Sequence, residues 1–322
     1  MDASRARLIA GGALAVAIVA ALAIILGNGG GGDGGAKKTS PAEAPSPAPA
    51  VPKRPIPVSA ASVPKPFNPE PPARRAKAVP ILMYHLVSDP PPDAKFPELY
   101  VSRADFASQM KWLKRQGYTA VRLQQVYDLW KRGFPLPRKP VVVSFDDGYR
   151  SVHDMAAPIL RRLLWPGVLN LELQVLDQPE QGGMSRAMVG DLIKAGREVD
   201  SHTVTHQDLT TLTPDQVRTE LVDSRAMIRK FFGQPANFFC YPAGRYNAQV
   251  VDAVRSAGYL GATTVNPGNA GRDQLFTLNR VRVERSDGLT GFEQKMTQLR
   301  GAGVAPAPPS FGGTGGETHA TG

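Results

Sequence analysis

The sequence predicts an α/β domain of barrel-like architecture set between two poorly structured ends. Apolar runs alternate with amphipathic stretches through residues 79–300, the pattern of repeated strand and helix units on a mostly parallel sheet. There are seven or eight such units, enough to close a barrel whose chemistry lies at the carboxyl ends of its strands. The 32 Gly and 30 Pro of this 322-residue chain are too many for helices and strands, and they gather at its two ends.

The first element is residues 1–27. Here twenty uncharged residues, 8–27, follow Arg5 and Arg7, and about twenty is what a helix needs to cross a bilayer core. It reads as an uncleaved membrane anchor, with a secretory signal segment as the competing reading. Either way the arginines place the rest of the chain outside the cytoplasmic membrane. Residues 28–78 are rich in Gly and Pro and poor in large apolar side chains, the composition of a disordered linker. Residues 301–322 are of the same kind and are expected to be disordered.

Between them, strands are expected at 80–85, 118–122, 140–145, 167–175, 197–201, 237–241, 259–264 and 275–283, with helices in most of the gaps. The clearest helix start is Thr213-Pro214-Asp215-Gln216: Thr213 can cap, Pro214 takes the first helical position, and Gln216 completes a capping box before a run to Phe232.

The net charge of +10 looks at first like a nucleic-acid signal. Ten of the 38 Lys and Arg and four of the 28 Asp and Glu fall in residues 1–80, so +6 of it sits in the leader. No basic stripe with interleaved aromatics remains, and nucleic acid is excluded as a partner. The single cysteine, Cys240, rules out an internal disulfide framework and leaves His and carboxylates as metal ligands.

Three stretches carry chemistry. The strand ending in Phe145 opens into Asp146-Asp147-Gly148, placing two carboxylates at the edge of a buried element. Side chains alternate along a strand, so a division of labour, one acid for a metal and one for a proton, fits better than a facing pair. After the strand at 197–201 comes His202-Thr203-Val204-Thr205-His206, whose two imidazoles can converge and, with a carboxylate, suit a divalent metal. Phe239-Cys240-Tyr241-Pro242-Ala243-Gly244 is an apolar strand breaking into a turn that could hold backbone amides toward the site.

In this order the three stretches resemble the signatures of the polysaccharide deacetylases, the NodB homology domain of carbohydrate esterase family 4. The likeness covers roughly residues 79–300 and implies a distorted (β/α) barrel of about seven units forming a single catalytic domain. It implies Asp146 as general base, Asp147, His202 and His206 as metal ligands with zinc the default ion, and the Tyr241 amide as an oxyanion donor. Two departures stand out. The third signature lacks its usual arginine, which either Arg280 or Arg282 could supply. The late histidine motif is absent as well. A histidine instead closes the first strand, in Ile81-Leu82-Met83-Tyr84-His85, as in the branch resembling poly-N-acetylglucosamine deacetylases, which assigns the acid to His85. His153 is expected to be a structural or surface residue and Cys240 core filling. The implied partners are an N-acetylated glycan and, through residues 1–27, a membrane; no protein partner is implied. The same groups would also serve an O-acetyl esterase or, if catalytically silent, a wall-glycan-binding module.

Overall fold

The computed structural model describes residues 68–300 and 302–304. The apolar stretch 8–27, the linker up to residue 67 and the tail from 305 lie outside the described residues, and among those described no helix is long and apolar enough to cross a membrane.

In chain order the elements are α1 (Pro72–Arg75), β1 (Ile81–Tyr84), β2 (Leu86–Val87), β3 (Tyr100–Val101), α2 (Arg103–Arg115), β4 (Thr119–Ala120), α3 (Leu123–Arg132), β5 (Pro140–Phe145), α4 (Ala157–Arg162), β6 (Val168–Leu171), α5 (Arg186–Lys194), β7 (Glu198–Ser201), α6 (Pro214–Phe232), β8 (Phe238–Cys240), α7 (Ala248–Ser256), β9 (Gly261–Pro267), β10 (Leu278–Arg282) and α8 (Thr290–Gln298). Strands β5 to β10 pair in parallel one after another, and β1 pairs with both β10 and β5, closing a seven-stranded barrel. The expected seven-unit barrel is therefore present. Strand β4 pairs only with the start of β5, and β2 and β3 form a separate two-stranded sheet.

All six residues of β5 are buried, as expected for a parallel strand covered on both faces. Helix α6 begins where its sequence said: Thr213 Oγ1 accepts the Gln216 amide, the Gln216 side chain accepts the Thr213 amide, and Gly233 ends the helix at φ 65°. Its buried face carries Val217, Leu221 and Ile228, each such side chain worth about 1.5–3 kcal/mol when withdrawn from water. That face also carries Glu220.

Several strand ends shift by up to three residues, as β9 and β10 do, and two boundaries differ more deeply from expectation. Residues 68–78 do not behave as linker. The Glu70 amide donates to Gly133 O at 2.8 Å, Arg74 to Leu136 O at 3.1 Å, and the Trp130 indole to Lys77 O at 3.0 Å, so α1 is tied to the end of α3 by long-range bonds that composition does not reveal. The strand expected over 167–175 stops at Leu171, and Glu172 leaves the sheet at the mouth of the barrel.

Register aligns the strand ends. Tyr84 lies opposite Phe145, Leu171 opposite Ser201, and Ser201 opposite Phe239. The next residues along these strands, His85, Asp146, Glu172, His202 and Cys240, thereby gather at one end of the barrel.

Candidate active site

At the end of β5, Asp147 adopts φ 72° and Gly148 φ 91°. The left-handed turn breaks the strand's alternation, so Asp147 reaches the same histidine as Asp146 instead of pointing away from it. Only glycine fits the next position easily, since a Cβ on Gly148 would stand 3.3 Å from a Leu171 methyl at a left-handed φ.

Asp146 is clamped. Arg280 binds it through two parallel bonds, Nη1 to Oδ1 at 2.8 Å and Nη2 to Oδ2 at 2.7 Å, while Arg280 Nε donates to Thr264 O at 2.7 Å. Asn170 Nδ2 adds a bond to Oδ1 at 2.7 Å, the Cys240 thiol lies 3.6 Å from Oδ2, and His85 Nε2 lies 4.0 Å from Oδ2. Burial alone would raise the Asp146 carboxyl, but the Arg280 guanidinium overrides it and holds the group far below the usual carboxylate range. Of the two candidate arginines it is Arg280 that faces the acid; Arg282 is exposed and pairs with Glu284 at 2.9 Å.

Opposite this clamp, His202 Nε2 and His206 Nε2 stand 3.4 and 3.6 Å from Asp147 Oδ1 and 3.2 Å from each other. The Nδ1 of His202 is anchored on Cys240 O at 2.7 Å, which turns Nε2 toward Asp147. Burial, then the neighbouring His202, push His206 down to about 4, the direction that favours an uncharged imidazole. His85 is likewise lowered by burial, against the pull of Asp147 and Asp146.

A divalent metal fits these residues. Asp147 Oδ1 is buried without a well-formed hydrogen bond among the described residues, and two imidazole nitrogens face it. Two nitrogens and one carboxylate oxygen, within 4.8 Å of one another, form a donor set suited to zinc with positions left open. Asp146, His202 and Cys240 also lie that close together. In that set, however, both Asp146 oxygens are already bonded and His202 Nδ1 is committed to a carbonyl.

The role expected of the Tyr241 amide is not available to it. That N–H donates to Thr263 O at 3.1 Å in the ladder between β8 and β9, and the tyrosine hydroxyl donates to Phe276 O at 3.0 Å within the core. In the turn that follows, Pro242 has no N–H, Gly244 donates to Tyr241 O and Arg245 to Pro242 O. That leaves the amide of Ala243, an exposed residue held at φ 49°.

His153 lies away from the cluster and pairs with Asp154 at 2.8 Å. Three residues near the site were not read from sequence as functional. Asn170 is a polar residue inside the buried run Val168–Leu171, an anomaly that a search for isolated polar residues in apolar strands would flag. Cys240, expected as core filling, is buried but also lies against Asp146 Oδ2. The Glu172 carboxyl is raised to about 7 by burial and then by the charge of Asp147.

A sequence profile described as polysaccharide deacetylase matches residues 134–262. The Bacillus subtilis protein YxkH, named for the polysaccharide deacetylases, is 30% identical over 214 residues, which cover 66% of this chain and 73% of that one. The poly-beta-1,6-N-acetyl-D-glucosamine N-deacetylase of Escherichia coli is 24% identical over 263 residues; the match covers 68% of this chain but only 38% of the relative. Among solved structures, a Streptococcus pyogenes deacetylase in complex with acetate superposes with a TM-score of 0.64 at 26% identity, over 69% of this chain and 99% of that one.

Proposed function

We propose, from the premise that the chain belongs to the polysaccharide deacetylase family, that it is a metal-dependent deacetylase of N-acetylated amino sugars in a glycan outside the cytoplasmic membrane. One observation carries the reading: the unpaired Asp147 oxygen faced by two imidazoles, one residue from a carboxylate clamped by arginine. The name of the E. coli relative supports N-acetylglucosamine as the sugar, and the apolar stretch 8–27 supports the location.

Asp147, His202 and His206 would hold the ion. A divalent ion bound there supplies polarisation of the acetyl carbonyl and acidification of a water. The remaining steps fall to the chain's own groups. Asp146, kept ionised by Arg280 and oriented by Asn170, takes the proton of the attacking water. His85, whose Nε2 lies 4.0 Å from Asp146 Oδ2, gives a proton to the departing amine.

The test is acetate release by the full-length chain from N-acetylglucosamine oligomers, before and after chelation and zinc add-back, with His85→Ala in parallel. Release that chelation stops and zinc restores is expected. For His85→Ala the expected loss is about 10²–10⁴-fold, the range of general acid–base catalysis. Release indifferent to chelation would overturn the metal reading, and full activity in His85→Ala the assignment of the acid.

A further inference from the structure

The loop from His202 to His206 must aim two imidazoles at one point, and its backbone does not hold that shape unaided. Thr203 and His206 sit at φ 71° and 56°, a left-handed conformation that disfavours L side chains by about 1–2 kcal/mol per residue. Within the loop, Thr203 Oγ1 accepts the His206 amide at 2.8 Å. From outside, the amides of Leu173 and Gln174 donate to the carbonyls of Thr203 and Val204 at 3.2 and 2.8 Å. The amides of Val204 and Thr205 both end on Glu220 Oε2, at 2.7 and 3.1 Å, and Thr205 Oγ1 donates to Glu220 Oε1.

Glu220 is 7% exposed, on the face of α6 that also buries Val217, Leu221 and Ile228. A carboxylate in such surroundings is costly unless it is hydrogen-bonded, and all three of its bonds go to this one loop. The two histidines depend on the loop unequally. His202 is fixed separately through Cys240 O, whereas His206 is aimed by the backbone around it.

We infer that Glu220 is a positioning residue of the metal centre, holding residues 203–206 so that the His206 Nε2 stays beside Asp147. The inference rests on the metal reading proposed above. It is tested by zinc affinity, from competition with a chromogenic chelator, and by the melting midpoint of the metal-free full-length chain. The variants are Glu220→Met, Glu220→Gln and Thr205→Val. Methionine keeps the packing and removes every acceptor, and zinc should bind about 10–100-fold more weakly, the range for partners behind a ligand. Glutamine retains one acceptor for the two amides and turns a donor toward Thr205 Oγ1, so its affinity should stay close to that of wild type. Thr205→Val removes one bond of three and should weaken zinc about two- to tenfold, and it decides the matter if Glu220→Met does not fold.

Wild-type zinc affinity in Glu220→Met, or in Thr205→Val should that variant stand alone, would overturn the inference. So would an equal loss of affinity and of metal-free stability in Met and Gln alike, the pattern of a merely structural residue. Failure of the wild-type chain to bind zinc would instead overturn the metal reading itself.

Discussion

One strand, β7, carries two kinds of buried ionisable group on the same face. Half-buried Glu198 and buried Asp200 lie on the amino-terminal side of His202, which follows the strand's carboxyl end beside Asp146 and Asp147. Both ends of the strand bury acids, with opposite consequences. At the carboxyl end Arg280 and the histidines overcome the cost of burial and hold the aspartates low. At the amino end hydrogen bonds come from amides: Glu198 accepts that of Gln124 at 3.1 Å and Asp200 Oδ1 that of Phe238 at 2.9 Å. Burial pushes Glu198 up to about 7, and burial together with Glu198 pushes Asp200 well above the carboxylate range. Among the described residues no hydrogen bond reaches Asp200 Oδ2, and the nearby Glu198 adds to burial in raising the Asp200 carboxyl. Burial and a second acid raise these two carboxyls, whereas beside the buried Arg280 guanidinium an equally buried carboxyl, that of Asp146, is held low.

The contrast breaks most visibly if its cation is removed. Arg280→Met should destabilise the chain by about 3–5 kcal/mol, because Asp146 is left buried and unpaired, and acetate release should disappear with it. A melting midpoint equal to that of wild type would mean that the arginine does not hold the aspartate.

The amino end sharpens the contrast through pH. Glu198 has a folded-state pKa raised above its unfolded value, so the folded chain binds more protons than the unfolded one between the ordinary carboxylate range and about 7. Its stabilising contribution is complete below that range and is lost as pH rises through about 7. The depressed Asp146 and Asp147 act in the opposite sense, losing their contribution as pH falls below the carboxylate range. Above pH 7, where the lowered His85 and His206 no longer contribute, melting midpoints should accordingly fall up to pH 8.5, and Glu198→Gln should flatten the slope; an unchanged slope would mean that Glu198 is not raised by its burial. The smallest effect is expected outside both ends. His153→Ala, on a partly exposed ion pair, should shift stability by no more than about 0.5 kcal/mol and leave turnover intact.

The sequence displays the barrel well because periodicity and capping are local. The Pro140–Phe145 strand and the Thr213 capping box appear where their residues placed them. His85, Asp146 and His202 lie at one mouth because each directly follows a strand, whereas Asp147 and His206 are brought there by the left-handed turns after β5 and β7. What sequence hides depends on register and on distant contacts. Whether the Tyr241 amide is free is decided by the pairing of β8 with β9, and the choice between Arg280 and Arg282 by which of the two faces the barrel interior. The partnership of Asn170 with Asp146 and the docking of residues 68–78 on α3 cross 24 and roughly 60 residues of chain, beyond the reach of any local pattern.

In the proposed reading the two adjacent aspartates divide their work, Asp147 toward a metal and Asp146 toward a proton. Elemental analysis of bound zinc in Asp146→Asn and His202→Ala, alongside acetate release, tests it most directly. Asp146→Asn should keep about one zinc per chain and lose turnover, and His202→Ala should lose both zinc and turnover. Loss of zinc from Asp146→Asn as complete as that from His202→Ala, or full turnover by Asp146→Asn, would contradict it.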